Sequence, residues 1–319
     1  MMAGETGKLL EVRNLKKYFK TKAGPLCAVD DISFDIYKGR TLGLVGESGC
    51  GKSTAGRAIL RLHEPTAGEV YFEGENVVGF SQRKMKDMRK EMQIVFQDPY
   101  SSLNPRMDVK SLILDSLKVS GSGESKSERE DRVRETMNVV GLEQRLVNSY
   151  PHELDGGRRQ RIGIARALIL NPKFIVMDEP VSALDVCVQA QILNLLERLQ
   201  QQFDLTYLFI SHNLSVVKHV SDRVAVMYLG KIVEVASYQD IFKNPLHPYT
   251  QALLSAIPLP KVGAKRERII LEGDITSPVN PPPGCRFESR CRKAQPLCVE
   301  EYPELRNMGN TQVACHFAG

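Results

Sequence analysis

The stretch GESGCGKST, residues 46 to 54, follows the apolar run TLGLV and fits the spacing G-x-x-x-x-G-K-[ST]. Gly46, Gly49 and Gly51 let the backbone turn its N–H groups inward around phosphate oxygens. Ser48, Cys50 and Thr54 complete the loop, Cys50 through its backbone N–H. Lys52 is placed to reach the β- and γ-phosphates of a nucleoside triphosphate, and Ser53 to ligate Mg²⁺. A dinucleotide-binding loop requires G-x-G-x-x-G, which this spacing does not supply. The bland alternative is a glycine-rich turn with no ligand, and the apolar strand before it and helix after it argue against that.

FIVMDEP brings the second half of such a chemistry. Four apolar residues make a buried strand that ends on two carboxylates, Asp178 and Glu179, which are costly there unless used. Asp178 suits Mg²⁺, directly or through water, and Glu179 suits polarisation of an attacking water, because phosphoryl transfer mainly demands alignment and charge stabilisation. A role as helix caps is the weaker reading. Gln97 closes the run MQIVFQ and His212 follows LFIS. Strand ends are where an α/β sheet gathers ligand groups, so both are candidates for the γ-phosphate.

Two further groups have reactive types. LDGGRRQ, residues 154 to 160, opens an amphipathic stretch, and paired glycines at a helix start leave N–H groups for an anion. Cys285, Cys291, Cys298 and Cys315 are spaced C-x₅-C-x₆-C-x₁₆-C, unlike the short knuckles of structural zinc sites, while Cys27, Cys50 and Cys187 are scattered. Four thiolates suit either a [4Fe–4S] cluster or zinc, or remain unligated thiols.

The elements that must carry these groups are legible as a pattern. Residues 9 to 74 read as short strands with one helix after Lys52, and GSGESKSERE reads as a flexible polar linker inside a helical stretch. KFIVMDEP, VCVQAQILNLLERLQQQF, LTYLFISHN and RVAVMYLGKIVEVAS read as strand, helix, strand and strand, which predicts βαβ units and a largely parallel sheet in an α/β fold. From about Asn244, prolines and cysteines mark a separate small module.

Composition is that of an ordinary globular chain: 319 residues, 42% hydrophobic and 25% charged, with a net charge of +5. That small charge, without a basic run, gives no support to nucleic-acid binding. MMAGETGKLLEV lacks the apolar centre of a secretion signal, and no run approaches the roughly 18 to 20 apolar residues of a membrane span, so a cytoplasmic location is expected. Free thiols or metal ligands are expected over disulfides in that compartment.

Taken in order, these motifs over residues 9 to 240 resemble the ATP-binding subunits of ABC transporters. The resemblance implies an ABC-type P-loop fold, with a RecA-like core, an antiparallel β subdomain and a helical subdomain at about 98–160, over residues 1–243. It implies that Tyr18 in LKKYF stacks on adenine, that Gln97 senses Mg²⁺ and the attacking water, and that His212 is the switch residue at the γ-phosphate. SALD, residues 182 to 185, is similar to the loop joining two such subunits, and DPYSSLNP to the loop that presses on a membrane partner. Read without the resemblance, Tyr18 is an aromatic at a strand end and SALD a capped turn.

NPLHPYTQALLSAIP and the cysteine-bearing tail, residues 244–319, resemble the oligopeptide and dipeptide permease ATPases, whose tail holds an iron–sulfur cluster. The implied activity is MgATP hydrolysis driving di- or oligopeptide uptake at the cytoplasmic face of the membrane. The implied partners are a second ATPase subunit, two transmembrane permease subunits and, through them, an extracellular solute-binding protein. Nickel, glutathione and oligosaccharide importers share the architecture, and a non-transport ABC ATPase or a regulatory nucleotide binder are the rivals from other classes.

The family's signature reads LSGGQ and binds the γ-phosphate held by the partner subunit, so Asp155, Gly156 and Gly157 would face the partner's ATP. Here Asp155 replaces serine and Arg158 replaces glutamine. An ionised Asp can only accept hydrogen bonds and is a strong N-cap, so it can occupy the N–H groups a phosphate needs. Three outcomes stand open: a weakened half-site in an asymmetric heterodimer, rescue by Arg158, or a neutral change.

Overall fold

Alternating apolar positions in residues 8 to 37 become two long strands, Lys8–Thr21 and Gly24–Tyr37. The computed structural model describes residues 7–121, 124–257, 268–271, 273 and 277–318, with Pro99 described in its backbone alone. The chain divides into two units: one holds Tyr37–Arg40 and Gly79–Leu208, the other Lys8–Ile36, Thr41–Val78 and the residues from Phe209 onward.

The second unit carries a four-stranded sheet in the order Gly24–Tyr37, Lys8–Thr21, Ala67–Phe72, Glu75–Asn76. Antiparallel pairing sets Leu10 opposite Phe72 and Val12 opposite Val70, so the apolar face of this sheet is buried in register. The same unit carries the strand order Arg306–Met308, Thr311–Val313, Lys231–Ser237, Arg223–Tyr228, Thr41–Val45. Thr41–Val45 is buried throughout and runs parallel to Arg223–Tyr228.

The expected largely parallel sheet is mixed instead. Lys231–Ser237 returns antiparallel to Arg223–Tyr228 across Leu229 and Gly230, whose φ angles of 41° and 82° fit a tight hairpin turn. Thr311–Val313 then pairs antiparallel with Lys231–Ser237, so the C-terminal residues extend the sheet edge. The long run RVAVMYLGKIVEVAS has no crossover to spare, and a two-residue connection permits only an antiparallel return.

In the other unit, Met92–Val95 lies parallel to Phe174–Asp178, with Val95 opposite Met177. Helix Gly156–Leu168 packs against Met92–Val95, and Val109–Ser120, Lys126–Val139 and Val186–Phe203 each pack against Gly156–Leu168. Gly156–Leu168 buries Ile162, Ile164, Ala165, Ala167 and Leu168, as its spacing predicts. The expected linker GSGESKSERE is corrected in part. Residues 122 and 123 lie outside the described residues, but Ser125 and Glu128 form a reciprocal capping box that starts the helix Lys126–Val139. The S-x-x-E pattern was the available signal. Among the described residues no helix is long and apolar enough to cross a membrane.

Candidate functional site

The phosphate loop begins where Thr41–Val45 ends and closes at the helix Lys52–Ile59. Gly51 caps that helix with φ 108°, and a Cβ placed on it would lie 1.9 Å from the Ala28 carbonyl oxygen, so only glycine brings the two backbones this close. Ser48 and Gly49 are exposed at the loop's tip, Gly46 and Cys50 are buried, and Ser53 and Thr54 are half-buried at the helix start. Burial raises the Cys50 thiol above its ordinary value, which fits a loop member acting through its N–H. Lys52 is only 4% exposed, and its ammonium donates to the Gly46 and Glu47 carbonyls, each at 2.9 Å.

Glu47, next to Gly46, is held from three sides. Its N–H donates to the Tyr249 hydroxyl at 2.9 Å, its carbonyl accepts from Lys52, and its carboxylate accepts the Arg290 fork at 2.9 and 3.2 Å. Sequence reasoning passed over Glu47, Tyr249 and Arg290. The only trace was position: Arg286 and Arg290 each stand beside a tail cysteine, and Tyr249 lies in the NPLHPYTQ motif.

Tyr18, on Lys8–Thr21, donates its hydroxyl to Asp30 of the neighbouring strand. Arg286 also pairs with Asp30, and Lys231 lies 3.5 Å from it. Burial pushes the Asp30 carboxyl up, yet Tyr18, Lys231 and Arg286 together outweigh it and hold Asp30 below the usual carboxylate range. Burial and this hydrogen bond push the Tyr18 phenol well above its ordinary value, so it stays a donor.

Phe174–Asp178 delivers Asp178 fully buried and Glu179 at 8% exposure. Glu179 has φ 49°, a left-handed conformation that a non-glycine residue adopts at a cost of about 1 kcal/mol or more. Gln97, two residues past Met92–Val95, donates from Nε2 to Oε2 of Glu179 at 3.2 Å. These two expected site residues are therefore brought together. His212 is exposed directly after Thr206–Ser211, and Asn213 caps the helix that follows.

Asp155 caps Gly156–Leu168, accepting from the Arg158 N–H at 2.8 Å. The Arg158 guanidinium pairs back to Asp155 and across to Glu143, both at 3.0 Å. A Cβ on Gly157 would lie 2.6 Å from Val188 Cγ1, and one on Gly156 3.0 Å from Leu184. Close packing against the SALD turn and its helix thus leaves little room for a side chain at Gly157, and constrains Gly156 less, independently of any anion. Asp185 of SALD caps Val186–Phe203.

The iron–sulfur or zinc site expected at Cys285, Cys291, Cys298 and Cys315 is a correction. Among the described residues no group of three or more His, Cys, Asp or Glu side chains is arranged to hold a metal ion. All four are free cysteines, and burial raises Cys285 to about 11 and pushes Cys291 and Cys315 up as well. The tail is instead held by protein contacts. The Cys285 N–H donates to the Cys298 carbonyl at 2.7 Å, and Phe287, 2% exposed, packs on Tyr228 and Tyr249 with ring centroids 5.2 and 5.4 Å away.

Comparison with known proteins identifies the family. Residues 29–182 match the ABC transporter family, and residues 233–298 match the oligopeptide/dipeptide transporter C-terminal region. The oligopeptide transport ATP-binding protein AppF of Bacillus subtilis is 51% identical, covering 99% of both chains. OppF of the same organism, also an oligopeptide transport ATP-binding protein, is 57% identical over 83% of this chain and 87% of its own. Among solved structures, the dimeric ATP-binding cassette MJ0796 in a post-hydrolysis state with ADP and Pi is 28% identical, with a TM-score of 0.66 over 72% of this chain and 98% of its own. With its phosphate loop on a buried strand and its likeness running the length of the chain, the protein belongs to the ATP-binding proteins of ABC transporters, in the oligopeptide/dipeptide branch.

Proposed function

We propose that this protein hydrolyses MgATP to drive import of di- or oligopeptides through membrane permease subunits. The observation that carries this reading is the chain-long identity with an oligopeptide transport ATP-binding protein. The loop Gly46–Thr54 takes the triphosphate, Lys52 reaching its β- and γ-phosphates and Tyr18 facing the adenine. The hydroxyl of Ser53, the amide of Gln97 and the carboxylate of Asp178 are hard oxygen donors of the kind Mg²⁺ selects, and they would hold it. The ion supplies charge neutralisation on the phosphates. Glu179 orients and deprotonates the attacking water, Gln97 aligns Glu179, and His212 contacts the γ-phosphate.

Residues 1–243 form the nucleotide-binding part, with a helical subdomain at about 98–160, and 244–319 a tail of the oligopeptide-permease type. The exposed Tyr100, in DPYSSLNP, supports a contact with a permease subunit at the membrane surface. A second ATPase subunit closes the nucleotide sites, and the Asp155–Arg158 pairing favours an asymmetric pair in which this chain's own signature serves weakly. An extracellular solute-binding protein delivers the peptide. The test is ATP hydrolysis by the complex assembled in vesicles: peptide-loaded binding protein raises the rate, whereas stimulation by nickel, glutathione or an oligosaccharide in its place refutes the peptide reading.

A further inference from the structure

We propose that Arg290, from the C-terminal tail, is a positioning residue for the phosphate loop: it neutralises and anchors Glu47 so that the loop accepts a triphosphate. The inference rests on the reading that Gly46–Thr54 binds nucleotide. Glu47 is the loop's second residue, and a free carboxylate there opposes the charge of the ligand. Arg290 closes on both oxygens, Nη1 to Oε2 at 2.9 Å and Nη2 to Oε1 at 3.2 Å, the bidentate geometry in which a guanidinium binds a carboxylate most strongly.

The pair is shielded, with the Arg290 side chain 9% and the Glu47 side chain 26% exposed, so water screens it little. Arg290 is itself fixed: Nη1 also donates to the Tyr228 hydroxyl at 3.3 Å, and Tyr228, Tyr249 and Phe287 interlock beside it. The Glu47 backbone is fixed separately, its N–H donating to the Tyr249 hydroxyl and its carbonyl accepting from Lys52, so what Arg290 governs is the charge and direction of the carboxylate. The tail is thereby tied to the chemistry of the loop without touching the nucleotide.

Equilibrium binding of MgATP and steady-state hydrolysis, on the full chain assembled with its partners, test this. Arg290→Met weakens nucleotide binding about ten-fold, with kcat at saturating ATP within about three-fold of wild type, and Arg290→Lys falls between. Glu47→Gln alone binds about two-fold more tightly, and in the double variant Glu47→Gln/Arg290→Met the affinity returns to within about three-fold of wild type. Wild-type affinity in folded Arg290→Met overturns the proposal, as does a double variant no tighter than Arg290→Met. If Arg290→Met does not fold, Glu47→Gln decides: weaker binding than wild type means the carboxylate serves the nucleotide directly and overturns the proposal. Lys52→Ala run in parallel separates the underlying reading: if it binds MgATP as tightly as wild type, the loop is not the nucleotide site and both readings fall.

Discussion

Gln97 donates to Glu179 at 3.2 Å across two neighbouring parallel strands, although 82 positions separate them in the chain. The bond orients a carboxylate that is nearly buried and set on left-handed backbone, which is the arrangement expected of a group whose position matters more than its solvation.

Glu179→Gln is expected to lower ATP turnover by about 10²- to 10³-fold while leaving MgATP binding intact, since it keeps the shape and removes the base. Gln97→Ala is expected to cost about ten-fold in turnover, through loss of alignment. Steady-state phosphate release alongside nucleotide binding checks both, and hydrolysis by Glu179→Gln at the wild-type rate would refute its role.

Two glycines of one loop should respond differently to a single methyl. Gly51→Ala meets the Ala28 carbonyl at 1.9 Å in a left-handed conformation, and is expected to destabilise by at least about 3 kcal/mol. Gly49→Ala, at φ 79° with nothing within 4 Å of its new methyl, is expected to cost only about 1 kcal/mol. Urea midpoints measure the gap, and equal costs would contradict the contact.

Asp155→Ser retains an N-cap and should leave the melting temperature nearly unchanged, whereas Asp155→Ala should lose about 1 kcal/mol. If the Asp155–Arg158 pairing weakens this chain's signature, Asp155→Ser raises ATP turnover of the assembled pair at least about two-fold. Unchanged turnover and γ-phosphate affinity would show the substitution to be neutral.

His247 is buried and neutral: burial lowers its pKa to about 3, and its Nδ1 accepts from the Tyr249 N–H at 3.1 Å. In the unfolded chain the same imidazole titrates near 6.5. The unfolded state therefore binds the extra proton first, so stability is full above about pH 6.5 and falls as pH drops toward 3, by up to about 1.4 kcal/mol per pH unit. Glu234, which accepts the His247 N–H at 3.0 Å, has its carboxyl raised by burial and acts in the opposite sense, gaining stability as it protonates near and below its own folded value. The window from about pH 6.5 to 5.5 is where the unfolded histidine takes up its proton. His247→Asn keeps the cap and should flatten the profile in that window, measured by urea unfolding at each pH.

Local chemistry made much of this protein readable in its residues alone. The phosphate loop, the strand ending on Asp178 and Glu179, the amphipathic helix after LDGG and the capping carboxylate of Asp155 all follow from spacing and residue type, because each depends on neighbours within a few positions. The capping box at Ser125 was equally local and was overlooked for the polarity around it.

What the residues in order did not decide is everything that depends on distant partners. A hairpin at Leu229–Gly230 gave a sheet expected to be largely parallel an antiparallel edge, since pairing direction is set by the connection and not by apolarity. Four cysteines with plausible spacing proved not to assemble a metal site among the described residues, since ligation needs thiolates that converge in space, which spacing along the chain does not report. Most plainly, 243 positions separate Glu47 from Arg290, and only the folded tail sets a guanidinium against the loop. Spacing along a chain reports what one turn or one strand can hold; which charge neutralises which is decided when packing brings remote groups out of water together.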